Sequence, residues 1–155
     1  MQAFGLRLVT AALIAAVTGS SASAGTVDDI RARGVLNCGV SEGLPGFSEA
    51  GSDGRWHGFD VDICKAIAAA VFGDPDKVSY LPQSTAERFK ALADGKVDLL
   101  SRNSTWTMTR DATLGLDFAG IAYYDGQGFL ARPDYGMRSA LELFGARICV
   151  ISATT

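Results

Sequence analysis

The sequence is short of the residues that catalytic and metal sites need. It has one histidine, His57, and three cysteines. His57 lies in a glycine-rich loop, and without it no Ser-His-Asp arrangement can be assembled. The cysteine spacing fits no zinc pattern, and neither a Cys-x-x-Cys pair nor a P-loop occurs. We therefore expect no metal, no cofactor and no nucleotide, and no catalysis by a serine triad.

Positive charge is also in deficit. The chain has 14 Lys and Arg against 17 Asp and Glu, which gives a net charge of −3, and the basic residues form no run. This balance argues against nucleic acid or an anionic membrane as a partner. With 48% hydrophobic and 20% charged residues, the composition is that of a globular protein and not of a disordered one.

Residues 1–24 predict a cleaved secretory signal peptide. Arg7 supplies the positive charge, "LVTAALIAAV" the apolar core and "ASA" the small-residue cleavage site. The alternative is a membrane anchor, but a span needs roughly 20 apolar residues and this run is shorter. No cysteine follows the cleavage site, so we expect no lipid anchor. The sequence thus predicts a periplasmic protein whose remaining length suits one domain.

Export would permit a disulfide. Cys38 lies in the first predicted strand and Cys64 in the helix that follows it. Because these two elements should pack together, we expect the two cysteines to be bridged; the alternative is two buried free thiols. Cys149 lies in a strand-like run and is expected in the core.

The middle of the chain alternates strands with helices. "VLNCGV", "KVSYLP" and "VDLL" predict strands, and "FDVDICKAIAAAVFG" and "STAERFKALADG" predict helices. Ser84 and Glu87 form a capping box for the second of these helices, which should turn Ala86, Phe89, Leu92 and Ala93 toward the core. This order predicts an α/β fold with a parallel sheet and right-handed crossovers. Later, "LDFAG", "IAYYDGQGFLARP" and "ARICVI" predict extended segments, the last a buried strand, and "SALELFG" a short helix.

The most unusual stretch is "LLSRNSTWTMTRD", which places hydroxyls, an amide and two guanidiniums directly after the third strand. In parallel sheets, ligands bind beyond the carboxyl ends of the strands. An arginine there can hold a carboxylate through two parallel hydrogen bonds. The alternative is a solvated loop whose Ser and Thr residues cap a short helix. The residues alone leave both open.

Taken together, four segments carry a family resemblance: "RGVLNCGVSEGLPGFS", "GRWHGFDVDICKAIAAAVFGD", "KVDLLSRNSTWTMTRD" and "DFAGIAYYDGQGFLAR". They resemble the substrate-binding proteins of bacterial polar amino acid ABC transporters, above all the general L-amino acid type. The resemblance extends from about Thr26 to the end of the chain. It implies an α/β lobe of the periplasmic-binding-protein type and the start of a second lobe: residues 25–122 as the first lobe, and 123–155 as a hinge crossing and the beginning of the second.

The resemblance also implies a site. Arg110 is expected to clamp the ligand's α-carboxylate. Donors and acceptors near the ligand's backbone groups come from the loop after the third strand, at Asn103, Ser104 and Thr105. Further contacts are implied at Leu44 and Phe47 for the ligand's side chain, and at Thr154 and Thr155, at a helix N-terminus, for the carboxylate from the opposite side.

In this family a monomeric protein delivers an L-amino acid to a permease in the inner membrane and performs no chemistry. Many relatives carry an aromatic residue where this chain has Thr85, which predicts a broad side-chain preference. Family members are longer, so we expect the 155-residue chain by itself to bind weakly. Two alternatives share the scaffold: an enzyme, either a dehydratase of prephenate-like acids or a cell-wall lytic enzyme, and a sensor module of a membrane kinase.

Overall fold

The computed structural model describes residues 26–155, so the predicted signal peptide lies outside the described residues. In chain order the elements are α1 (Thr26–Arg33), β1 (Leu36–Ser41), β2 (Glu49–Ala50), β3 (Trp56–His57), α2 (Phe59–Phe72), β4 (Val78–Gln83), α3 (Arg88–Ala93), β5 (Leu99–Leu100) and α4 (Met108–Thr113). Two 3₁₀ turns follow, Pro133–Tyr135 and Ala140–Leu143. No helix among these residues is long and apolar enough to cross a bilayer.

A parallel sheet of three strands carries the fold, in the order β4-β1-β5. Cys38 of β1 pairs with Tyr80 on one side and Leu99 on the other. The predicted parallel α/β arrangement is therefore confirmed. After β1 the chain adds β4 on one side of it and β5 on the other, so the strand order reverses at β1. In such sheets ligands bind at this switch point, beyond the carboxyl end of the strand.

The core lies between β1 and α2. Along β1, Leu36, Cys38 and Val40 are buried, as expected for a central strand covered by a helix. On α2, Cys64 and Ala68 are fully buried, so this face of the helix points inward. A disulfide joins Cys38 to Cys64, with the Cα atoms 6.2 Å apart.

Two local features fix the ends of these elements. Gly73 has a φ of +71°, and its N–H donates to the carbonyl of Ala69 at 2.8 Å, which ends α2 in a left-handed cap. The Asp98 carboxylate accepts a hydrogen bond from the backbone N–H of Asn37 at 2.7 Å and forms a salt bridge with Arg33. The Asp98 carboxylate thus ties β5 to the start of β1 and to α1.

The prediction for α3 is partly wrong. Ser84 and Glu87 do bond to each other, with the Glu87 N–H donating to Ser84 Oγ at 3.2 Å. The helix itself begins only at Arg88, since residues 85–87 form a turn. The later start changes the inward face: Arg88 and Ala91 are buried, and the predicted Ala86 and Ala93 are exposed.

The buried strand predicted at "ARICVI" is wrong. The structure has no strand between residues 116 and 155, although Ser139 caps the Ala140–Leu143 turn by accepting the Leu141 N–H at 3.2 Å. "ARICVI" is neither a strand nor buried, and Cys149 is exposed and not in the core. An extended segment needs a neighbouring strand to satisfy its backbone, and no described strand lies beside this one. Conversely, a small antiparallel hairpin, β2-β3, forms in the predicted polar loop.

Candidate functional site

The loop after β5 is anchored at its base by Ser101. This side chain is buried, its backbone N–H donates to Gly39 of β1 at 2.9 Å, and its hydroxyl donates to the carbonyl of Asp60 at 2.9 Å. Asp60 stands in the first turn of α2 and is itself buried. The loop is therefore fixed to both the sheet and α2 at the switch point. The next hydroxyl, Ser104 Oγ, is also buried, and it finds no hydrogen-bond partner within residues 26–155.

Part of the hydroxyl content of this stretch is explained by helix capping. Thr107 is the N-cap of α4, and its Oγ1 accepts the backbone N–H of Arg110 at 3.2 Å. Beyond this stretch, Thr113 Oγ1 donates to the carbonyl of Thr109 at 2.6 Å, a bond within the helix and not a cap. The capping alternative is thus correct for Thr107. It does not account for Asn103, Ser104 or Thr105, which precede the cap.

Arg110 folds back over the loop. Its Nη1 donates to the carbonyl of Thr105 at 2.8 Å, and its Cζ lies 5.0 Å from the centroid of the Phe89 ring. One hydrogen bond and one aromatic contact hold the half-buried guanidinium in place, and the remaining N–H groups can serve a ligand. Arg110 therefore packs against the loop after β5 and against Phe89 of α3.

Residues 151–155 meet the β5 loop through one threonine pair. Thr105 Oγ1 and Thr155 Oγ1 lie 3.2 Å apart, so the structure brings these two predicted site residues together. Thr154 Oγ1 instead donates to the carbonyl of Ile151 at 2.9 Å, within its own turn. The predicted helix N-terminus is not seen here: the described backbone at residues 152–153 is a turn.

Leu44 and Phe47 occupy a tight turn after β1. The Leu44 N–H donates to Ser48 O at 2.8 Å, and the Phe47 N–H donates to Leu44 O at 3.0 Å. The Phe47 ring packs edge-on against Tyr123, with centroids 5.3 Å apart, and against Phe59 at 6.1 Å. Phe47 therefore contacts the segment that the resemblance identifies as the hinge crossing, and both predicted side chains are half-buried.

Arg88 is a site residue that the sequence analysis missed. It is only 2% exposed, and it donates to Thr85 O at 2.6 Å and to Ala153 O at 3.2 Å. Its Cζ lies 4.6 Å from the Phe89 ring, the same ring that Arg110 contacts. Phe89 thus supplies an aromatic surface beside Arg110 although position 85 is a threonine.

Arg102 is one of the two arginines of the polar stretch, but the sequence analysis gave it no role in the site. From the loop after β5 its Nη1 reaches the carbonyl of Gln83 at the end of β4, at 2.5 Å. Its Nη2 donates to Asn103 Oδ1 at 2.8 Å. Since β1 lies between β4 and β5, this side chain spans the carboxyl end of the central strand.

The three guanidiniums make the site electropositive. Within residues 26–155, none of Arg88, Arg102 and Arg110 forms a salt bridge with a carboxylate. Burial, reinforced by the charges of Arg102 and Arg110, lowers the pKa of Arg88 to about 10. Burial also lowers the pKa of Arg102, which the charges of Glu42 and Asp60 partly oppose. Such a site favours an anionic group.

The other candidates do not join this site. His57 is exposed in β3, with its Nε2 3.7 Å from a carboxylate oxygen of Glu49. Residues 26–155 hold no group of His, Cys, Asp or Glu side chains that could bind a metal ion. The acidic Asp60 is buried below the loop, and burial raises the pKa of its carboxyl group. The arrangement is that of a receptor for a small anion, built on hydroxyls, an amide and guanidiniums.

Comparison with known proteins gives a consistent family match. The family model described as "Bacterial extracellular solute-binding proteins, family 3" matches residues 36–142. The general L-amino acid-binding periplasmic protein AapJ of Rhizobium johnstonii is 53% identical over 152 residues, which is 96% of this chain and 45% of that protein. The glutamate/glutamine/aspartate/asparagine-binding protein BztA of Rhodobacter capsulatus is 54% identical over 142 residues, 92% of this chain and 42% of that protein.

A solved structure shows the same relation. A periplasmic binding protein of an ABC transporter from Brucella ovis, with glutathione bound, superposes with a TM-score of 0.81 at 55% identity. The match covers 85% of this chain and 42% of that one. The chain therefore spans less than half the length of these relatives. The parallel α/β fold corresponds to part of one lobe of such a protein.

Proposed function

Because the chain belongs to family 3 of the bacterial extracellular solute-binding proteins, we propose that it forms part of a receptor for L-amino acids that serves an ABC importer. The named relatives bind amino acids, and two are called general or multi-substrate binders. The observation that carries the proposal is the Arg110 guanidinium, which bonds to the loop after β5 and pairs with no carboxylate of residues 26–155. The α-carboxylate of a zwitterionic amino acid would supply the negative charge that pairs with Arg110.

In this proposal Arg110 binds the ligand's α-carboxylate by charge-assisted hydrogen bonds. Thr105 and Ser104 supply hydroxyls from the same loop, and the Asn103 side chain supplies an amide. Ser104 Oγ is a buried hydroxyl that has no partner within residues 26–155, which is the kind of group that a bound ligand satisfies.

The remaining predicted residues complete the site from other segments. Leu44 and Phe47 border the ligand's side chain from the turn after β1. Thr155 and Thr154 approach the carboxylate from the other side, and the 3.2 Å contact between Thr105 and Thr155 supports this placement.

We further propose residues 25–122 as the first lobe and 123–155 as the hinge crossing and the start of a second. The Phe47–Tyr123 contact supports a crossing that begins near residue 123, because it ties that segment to the first lobe. A ligand that bonds to both lobes favours the closed arrangement, which is the general basis of capture in two-lobed receptors.

The same proposal has four further parts. The chain is exported by a cleaved signal at residues 1–24, and it is periplasmic without a lipid anchor. It is a monomer, and it delivers its ligand to a permease in the inner membrane. The periplasmic names of the relatives support the location. We propose binding without chemistry, because the relatives are solute-binding proteins.

The proposal is tested by an NMR titration of the chain with L-glutamate, L-glutamine and L-leucine, a method that detects both tight and weak binding. We expect all three to shift resonances of the loop 101–110. Arg110→Met should weaken each of them about 10- to 100-fold, the range for losing a hydrogen bond to a charged group. Arg31→Met, an exposed arginine of α1, is the control and should change nothing. If Arg110→Met binds as well as the unmodified chain, the proposed function is wrong.

A further inference from the structure

Arg102 leaves little freedom to the side chain next to it. An arginine has only N–H donors and no acceptor, so the Asn103 atom that faces Arg102 Nη2 at 2.8 Å is the amide oxygen. A flipped amide would set two donors against each other. The orientation of Asn103 is thus fixed by the chemistry of its neighbour.

The Arg102 guanidinium is itself firmly held. Its Nη1 donates to the carbonyl of Gln83 at 2.5 Å, across the end of β1. The charges of Glu42 and Asp60 stabilise its cationic form, and Asp60 is buried at the start of α2. Because the end of β4, the start of α2 and the loop after β1 all contribute to its surroundings, Arg102 can fix the Asn103 amide without moving itself.

The side-chain nitrogen of Asn103, Nδ2, is the amide atom that Arg102 leaves available. With Oδ1 turned toward Arg102, Nδ2 is the other branch of the amide, and it makes no hydrogen bond within residues 26–155. Asn103 is exposed, and it shares the loop with Thr105, whose carbonyl receives Arg110. The free group that Asn103 offers to this side of the sheet is therefore a donor.

We propose that Arg102 is a positioning residue that holds Asn103 as a hydrogen-bond donor to the ligand's α-carboxylate, beside the Arg110 guanidinium. This inference rests on the proposed function and deepens it. Asn103 then contributes to recognition of the ligand's negative end and not of its ammonium group. Arg102 acts through Asn103 and does not contact the ligand.

Replacement of Asn103 distinguishes a donor from an acceptor. In an NMR titration with L-glutamine, Asn103→Ala should weaken binding about 5- to 20-fold through the loss of one hydrogen bond to a charged group. Asn103→Asp should weaken it further, at least about 50-fold, because a carboxylate repels the carboxylate it faces. If Asn103 instead accepted from the ammonium group, Asn103→Asp would bind as tightly as the unmodified chain or more tightly, and the inference would be overturned.

The role of Arg102 is tested by measuring whether the cost of Asn103→Ala depends on Arg102. In an Arg102→Met background the amide is free to rotate, so Asn103→Ala should cost less than about 2-fold, because the donor is no longer pre-oriented. An unchanged cost of Asn103→Ala in that background overturns the positioning role. If Arg102→Met does not fold, Arg102→Lys replaces it: an ammonium lacks the planar fork needed to hold Gln83 and Asn103 together, so the cost should again shrink.

Arg110→Met separates this inference from the proposed function. If Arg110→Met abolishes binding while Asn103→Asp binds well, the receptor proposal stands and only the inference about Arg102 and Asn103 fails. If Arg110→Met has no effect, both fail.

Discussion

Reduction of the disulfide between Cys38 and Cys64 should destabilise the chain strongly. The bridge closes a loop with a sequence separation of 26 residues. In the chain-entropy account a loop of that size stabilises the folded state by about 3.5 kcal/mol. Both cysteines are fully buried between β1 and α2, so reduction leaves two small thiols in place and creates no cavity. The loss should therefore be mainly that of the loop constraint.

The assay is urea unfolding followed by tryptophan fluorescence, with and without a phosphine reductant. For a denaturant slope of about 1–3 kcal/mol/M, the midpoint should fall by about 1–3 M urea on reduction. A variant with both cysteines changed to alanine should unfold at the same midpoint under both conditions. The reasoning is refuted if the unmodified chain also has equal midpoints, or if three thiols react in the denatured, unreduced protein instead of one.

Two further predictions concern Asp60 and Gly58, at the start of α2. Burial raises the pKa of Asp60, so its carboxyl binds protons more readily in the folded state, and stability should fall as pH rises from the ordinary aspartate pKa toward the raised value. Asp60→Asn should remove that slope in urea titrations across this window, and an unchanged slope would show that Asp60 is not its source. Gly58 has a φ of +119°, and an added Cβ would collide with the backbone of Phe47, whereas Gly54 (φ +77°) has open space. Gly58→Ala should therefore cost at least about 2 kcal/mol in thermal unfolding, and Gly54→Ala only about 1 kcal/mol; similar costs would contradict the steric account.

The sequence was most informative where local chemistry and packing agree. The strand over Leu36–Ser41 and the helix over Phe59–Phe72 follow from apolar periodicity and from Gly73, whose missing side chain suits a left-handed cap. Their parallel arrangement follows from the alternation of strands and helices. These features depend on neighbours in the chain, which a sequence displays directly.

Arg88 and Arg102 could not be found in the same way. Arg88 is the first residue of a short helix, and it is buried there with its guanidinium bonded to the carbonyls of Thr85 and Ala153, the second of them 65 residues away. Arg102 matters because it reaches Gln83, 19 residues away, across the end of β1. A usable signal for Arg88 was that no acidic residue stands three or four positions away from it to form a helical ion pair. The strand predicted at "ARICVI" is wrong for a different reason. Its apolar pattern suits a strand, but the pattern does not show whether another strand lies beside it to pair with.

The central claim is that the Arg110 guanidinium receives the carboxylate of an amino acid. The most direct measurement is an NMR titration of the unmodified chain and of Arg110→Met with L-leucine and with L-leucinamide, which lacks the negative charge. We predict that the unmodified chain prefers L-leucine by at least about 10-fold, as expected for a charge-assisted hydrogen bond, and that Arg110→Met does not distinguish the two ligands. An equal preference for L-leucine in both proteins would place the carboxylate elsewhere and contradict the account.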